Sequence, residues 1–338
     1  MRLRRLYFPL LTLLILLLLA LDVAMGTADL SLADVWRAVT GKLDDPTMQA
    51  IVMRFRIPKA LVALLAGAAL SAAGLQMQTL FRNPLSGPYV LGISSGASLG
   101  VALFLMGLPL LGAGVATDAL RNVGMVGAAW IGGALILVAV MAVSARIKDI
   151  MAVLILGMMF GSAASALVEI MQYFSPEGNV KSFVVWTMGN LGGISVPQLR
   201  IMAPVVLLGL ALAVFLIKPL NILLLGENYA RTMGVNVRRV RLLLFASTTL
   251  LAGTITAFCG PIGFLGIAVP HLCRMLLLQA DHRVLMPASM LMGAAVMLSC
   301  DILSQVPGTD ATLPINTVTA LMGIPVVVIV IMRNRRFF

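Results

Sequence analysis

Apolar residues run in long unbroken stretches along this chain, and the polar breaks between them are short. The stretches fall at 6–21, 61–80, 89–111, 123–143, 150–174, 202–217, 240–259, 262–278, 284–304 and 313–332. A hydrocarbon core of roughly 30 Å takes about 20 helical residues to cross, so the pattern predicts about ten transmembrane helices. No polar block between them is long enough to fold separately, so 1–338 reads as a single membrane domain, an all-α polytopic protein. The eighth run is the weakest, because Pro270, His271 and Arg274 interrupt it.

Composition agrees. Hydrophobic residues make up 60% of the chain and charged residues 11%, with a mean hydropathy of +1.04, whereas soluble domains are about half apolar and a quarter charged. The first run follows Arg2, Arg4 and Arg5 as a signal peptide would, but its Leu-rich core continues to Asp22 with no small-x-small cleavage site, so it is expected to remain as a span. The net charge of +11 gathers at the chain ends and on alternate loops, with Arg146, Lys148, Arg335 and Arg336 among its members. An excess of Lys and Arg marks the cytoplasmic side, which predicts both termini in the cytoplasm. Charge distributed in this way reports topology and gives no sign of nucleic-acid binding. Cys259, Cys273 and Cys300 are too far apart for a C-x-x-C pair and sit in apolar surroundings, so they read as packing residues with no metal role.

The candidate chemistry is sparse. Gly92-Ile93-Ser94-Ser95-Gly96 fits G-x-S-x-G, but a nucleophile elbow needs a strand-turn-helix context and a nearby histidine. Here the motif lies in a span, and Gly92, Gly96 and Gly100 at every fourth position suit close helix approach. A phosphate-binding G-x-x-x-x-G-K-[ST] and a zinc-binding H-E-x-x-H are both missing. Ionisable groups inside spans are few: Glu169 near the end of the fifth run and Asp301 near the end of the ninth read as helix-end residues. Energy for transport is therefore expected from outside the chain. The stretch 218–239, KPLNILLLGENYARTMGVNVRR, is too long for a bare turn. It reads as short helices broken at Gly226 and stopped at Gly234, with Glu227 and Arg231 paired at i, i+4 and an apolar surface from Leu223, Leu224, Tyr229 and Met233. An interfacial loop and a docking surface for a cytoplasmic protein both fit.

Blocks in order along the chain resemble the permeases of type II ABC importers for ferric siderophores, haem and cobalamin. They are RIPKALVALLAGAALSAAGLQMQTLFRNPLSGPYVLGISSGASLG (56–100), WTMGNL (186–191), LGENYARTMGV (225–235), GPIGFLGIAVPHLCR (260–274), DHR (281–283) and LPINTVTALMGIPVVV (313–328). The resemblance implies a pair of permease chains, two cytoplasmic ATPase subunits carrying the ATP and Mg, and an extracytoplasmic substrate-binding protein, all at the bacterial inner membrane. It places ATPase coupling on Leu225, Gly226, Glu227, Tyr229, Ala230, Arg231, Met233 and Gly234, and binding-protein docking on Arg56 and Lys59. The substrate path, along the interface between the two permeases, is expected to use Asn83, Pro84, Gly92, Ser94, Ser95, Gly96, Met158, Met159, Met171 and Gln172. Lys59 and Gln305 stand where relatives often carry Arg, so the docking pattern is reduced. A secondary transporter or channel not driven by ATP is the alternative, and an intramembrane hydrolase using Ser94 is a distant third.

Overall fold

The computed structural model describes residues 2–26, 31–43, 45–107, 118–144, 147, 149–305 and 312–333. Arg146, Lys148, Arg335, Arg336 and both chain ends, on which the topology reading leans, lie outside the described residues, as does 108–111 of the third run. The helices in order are α1 (Arg2–Ala24), α2 (Leu32–Val39), α3 (Pro46–Ile51), α4 (Ile57–Leu80), α5 (Ile93–Ala102), α6 (Asp118–Ser144), α7 (Ile150–Phe174) and α8 (Glu177–Thr187). Then come α9 (Val196–Phe215), α10 (Ile217–Leu223), α11 (Glu227–Thr232), α12 (Val237–Thr248), α13 (Thr254–Cys259), α14 (Leu265–Leu277), α15 (His282–Ser304) and α16 (Ile315–Arg333). Wider π turns at Val52–Arg56 and Thr249–Gly253 join α3 to α4 and α12 to α13, and a third at Leu103–Gly107 extends α5.

Each predicted run has its helix. Seven are long and apolar enough to cross a membrane, and Ile93–Gly107, Leu265–Leu277 and Ile315–Ile329 are shorter apolar helices. The third and eighth runs are shortened for a physical reason. Proline disfavours helix in the residue before it, and the chain from Phe81 to Gly92 carries Pro84 and Pro88, so α5 starts only at Ile93. Gly260, with φ of 78°, ends α13, and helix does not resume until Leu265.

Backbone freed inside a membrane must find partners within the protein, and here it does. The Gly263 N–H donates to Asn316 Oδ1 at 2.9 Å, and the Ile262 N–H donates to the Tyr89 hydroxyl at 3.4 Å. Gln78 Nε2 donates to the Gly266 and Ile267 carbonyls at 3.2 Å each.

Helix α4 is the centre of the bundle, packed against α15, α14, α9 and α12. Seven Ala and two Gly among its 24 residues let neighbouring backbones approach closely. Gly67 meets the backbone of Gly293 on α15, and Gly74 meets that of Gly266 on α14, leaving no room for a Cβ at either position. A second group forms around α5, which lies between α6 and α7. Among the described residues the one strand-like contact is an antiparallel bridge between Gln305 and Thr312.

Candidate functional site

Three places on the bundle carry the residues singled out by sequence. The first is the segment after α9. Gly226, at φ 111°, separates α10 from α11, and Gly234, at φ 78°, follows α11's end. Ala230 is fully buried and anchors the segment, while Leu225, Tyr229 and Met233 are more than half exposed. Glu227 does pair with Arg231, at 3.8 Å, but its closer partner is Arg241, whose Nε and Nη2 donate to Glu227 Oε1 at 3.1 and 2.5 Å. That ion pair ties α11 to α12 and was not legible from spacing, because it depends on α12 folding back over α11. Gly226 lies directly under the Arg82 guanidinium, so the end of α4 sits on this segment.

A polar network runs inward from there, from the exposed Asp281 to the buried His282 and Thr79. Asn221 on α10 donates through Nδ2 to Asp281 Oδ1 at 2.6 Å and accepts at Oδ1 from the His282 backbone N–H at 2.8 Å. His282 Nδ1 lies 2.8 Å from the same Asn221 oxygen, and its Nε2 lies 2.8 Å from Thr79 Oγ1 on α4. Asp281 caps α15; the Arg283 amide and Asn221 hold its carboxyl below the usual range. Arg274 donates to Gln78 Oε1 at 2.5 Å, and His271 Nε2 donates to the Pro84 carbonyl at 2.9 Å. Both histidines are thus engaged at this end of the bundle, leaving Ser94 without a base. Asn83 accepts from the Leu85 N–H at 2.9 Å and shapes the turn after α4. Asn83 and Pro84 therefore belong to this end and do not line the groove described next.

The second place is the outward face of α7. A groove of about 600 Å³ is lined by Tyr89, Gly92, Ser95, Met158, Ser162, Ser165 and Glu169, among others. Ser95 on α5 and Ser165 on α7 approach to 3.4 Å. Of the expected path residues, Gly92, Ser95 and Met158 line this groove, and Met159 is exposed beside it. Gln172 lines an adjoining hollow of about 580 Å³ with Lys181 and Met188. Gly96 is packed on the backbone of Gly132 in α6, away from the groove. Ser94 is partly buried and Met171 is packed against a small apolar core containing Phe183; neither lines the groove. Glu169 does line it, although its position near the end of the run made it look like a helix-end residue. The signal that would have found it is the heptad spacing of Met158, Ser162, Ser165, Glu169 and Gln172, which puts them on one stripe of a helix.

The third place is the opposite end of α4. Arg56 is buried and its Nη1 donates to the Val23 and Ala24 carbonyls at 3.1 and 2.7 Å, capping the end of α1. Lys59 Nζ sits 3.0 Å from Asp301 Oδ2, with a fifth of the side chain exposed. Asp22, missed in the sequence reading because it follows the first run, is buried next to Asp301 and accepts from Gln305 Nε2 at 3.0 Å. Two acidic and two basic side chains are thereby brought together from α1, the π turn before α4, α4 itself and α15. Gln305 serves as an uncharged donor to this cluster.

Comparison with known proteins agrees with this architecture. The profile of the FecCD transport family matches residues 12–333. The hemin transport system permease protein HmuU of Yersinia pestis is 36% identical, over 96% of this chain and 94% of its own. The vitamin B12 import system permease protein BtuC of Klebsiella pneumoniae is also 36% identical, over 96% of this chain and 93% of its own. A solved metal-chelate type ABC transporter in an inward-facing conformation superposes with a TM-score of 0.83 at 31% identity, covering 97% of this chain and 99% of the other. With its fold and nearly its whole length in agreement, the chain belongs to the FecCD transport family, as a multi-pass membrane permease of an ABC importer.

Proposed function

We propose that this chain forms, with a second permease copy, the membrane channel of an ATP-driven importer for a bulky metal chelate: a ferric siderophore, haem or cobalamin. The observation that carries this reading is the match to the FecCD transport family over 12–333, joined to relatives named for hemin and vitamin B12. The whole chain acts as one membrane domain with both termini in the cytoplasm. ATP and Mg bind on two partner ATPase subunits, which press on Leu225, Tyr229 and Met233. That is the exposed apolar surface expected of an interface core, held in shape by Ala230 and the Glu227–Arg241 pair. A binding protein lands at the other end, where Lys59 is the more accessible of the two expected docking cations and Arg56 supports the end of α1. Cargo moves along the α7 face between the two copies.

The test is reconstitution in vesicles with the partner ATPase and binding protein, following uptake of radiolabelled ferric hydroxamate, haem and cobalamin. Uptake of one of these only when ATP is supplied is the expected result. Accumulation driven by an ion gradient in the chain alone would overturn the reading.

A further inference from the structure

The α7 face has a chemistry that a wall packed against lipid would not have. Met158, Ser162, Ser165, Glu169 and Gln172 follow one another at spacings of four and three residues, so they form one continuous stripe. The stripe extends about 21 Å at the helical rise of 1.5 Å per residue. Ser162, Ser165 and Glu169 are exposed, and the first four residues of the stripe line the 600 Å³ groove. Val153, Ala164 and Val168 form the buried apolar side of the same helix, and the buried Gly157 and Gly161 meet the 90–95 segment along the groove. Glu169 is the one carboxylate lining the groove, and among the described residues no cation pairs with it. An ionised side chain facing acyl chains costs several kcal/mol, so this stripe faces water or a moving polar cargo.

We infer that Glu169 is the charge filter of the transport path, admitting neutral or cationic chelates and disfavouring polyanionic ones. The inference rests on the reading of α7 as the path wall. It adds what that reading leaves open, the electrical character of the cargo. A carboxylate flanked by low-dielectric walls focuses a negative potential into the groove, raising the local concentration of cations and lowering that of anions. The serines along the stripe offer hydroxyls that donate to or accept from any chelate. They therefore give the groove little preference by charge, and the sign of the selection comes from Glu169. Two copies facing each other would set two such carboxylates across the path.

The test needs no knowledge of the cargo. In the full complex, Ser165→Cys places a thiol one helical turn from Glu169, where i, i+4 side chains are neighbours. The three native cysteines are buried and give a low background. Its reaction rates are measured with a trimethylammonium-ethyl and a sulfonato-ethyl methanethiosulfonate. Adding Glu169→Gln should lower the cationic-to-anionic rate ratio about tenfold, as expected for one charge about 6 Å away in a largely aqueous dielectric. Glu169→Asp should keep the ratio, and Glu169→Lys should invert it. A ratio indifferent to Glu169→Gln, or a Ser165→Cys thiol closed to both reagents, would overturn the filter. So would a wild-type complex that takes up an anionic tricatecholate ferric chelate in preference to a cationic trihydroxamate one. A rate ratio that responds as expected in a complex showing no ATP-driven uptake would leave the filter standing and remove the importer reading instead.

Discussion

Helices α4 and α7 are alike in sequence and opposite in position. The span that ends in α4 has a mean hydropathy of 1.8 and α7 one of 2.1, yet 83% of the apolar window is buried in the first and 22% in the second. Hydropathy selects residues that leave water; it does not say whether they meet lipid, a partner or the bundle. What separates the two helices is size and polar bookkeeping. Helix α4 carries seven Ala and two Gly among its 24 residues, with the close contacts at Gly67 and Gly74, and its two glutamines are satisfied inside the protein: Gln76 donates to Ser247 Oγ at 3.0 Å, and Gln78 holds Arg274 and two carbonyls. Helix α7 turns Val153, Gly157, Gly161, Ala164 and Val168 inward and presents Met158, Ser162, Ser165 and Glu169 outward. One helix is scaffold and the other is surface, and substitutions should divide accordingly.

The largest effect is expected at Gly74→Leu, where any side chain must displace the Gly266 backbone. Overpacking of this kind costs up to about 3 kcal/mol and sometimes more. Purified yield and thermal melting should collapse, while Met158→Leu on α7 should stay within about 0.5 kcal/mol of the parent. Equal losses at the two sites would break the division between scaffold and surface.

Next in size is Glu227→Ala, which leaves Arg241, only 7% exposed, without its carboxylate. Breaking a buried ion pair costs about 3–5 kcal/mol; Glu227 is 23% exposed, so about 2 kcal/mol is expected in a denaturant melt. Arg241→Met added to Glu227→Ala should recover most of that loss. No recovery would mean that Glu227 acts through some other partner.

The smallest change in stability is expected for the pair Tyr229→Asp with Met233→Asp, since both side chains are more than half exposed. Melting should be unchanged. Copurification of the ATPase, or the link between ATP hydrolysis and uptake, should be lost, because charge is poorly tolerated in the core of an interface. Retained coupling would move the 225–235 segment from docking surface to ordinary loop.

Much of this architecture was legible before any coordinates. The apolar runs and the breaks at Gly226 and Gly234 follow from local causes, apolar side chains and glycine's access to positive φ, whereas the interruption expected at Pro270, His271 and Arg274 does not occur: α14 runs unbroken from Leu265 to Leu277. The blocks from 56–100 to 313–328 likewise pointed to the family that the whole-chain match then established. Less visible were the residues whose meaning depends on a distant neighbour. Arg56 and Lys59 read as outward cations, yet Arg56 turns onto the α1 carbonyls and Lys59 onto Asp301. Gly96 packs on Gly132, as its four-residue spacing with Gly92 and Gly100 suggested, while Glu169 read as a helix-end residue and lines the groove.

By itself, then, the sequence determined where the apolar runs lie, where the 218–239 segment breaks and which protein family the chain builds, because those properties are written in residues close together along the chain. Only the tertiary structure decided which spans are buried, which carboxylate meets which cation and which face of α7 stays open. Those outcomes rest on contacts between helices far apart in sequence, where steric fit and the desolvation of each charge select among positions that hydropathy leaves equivalent.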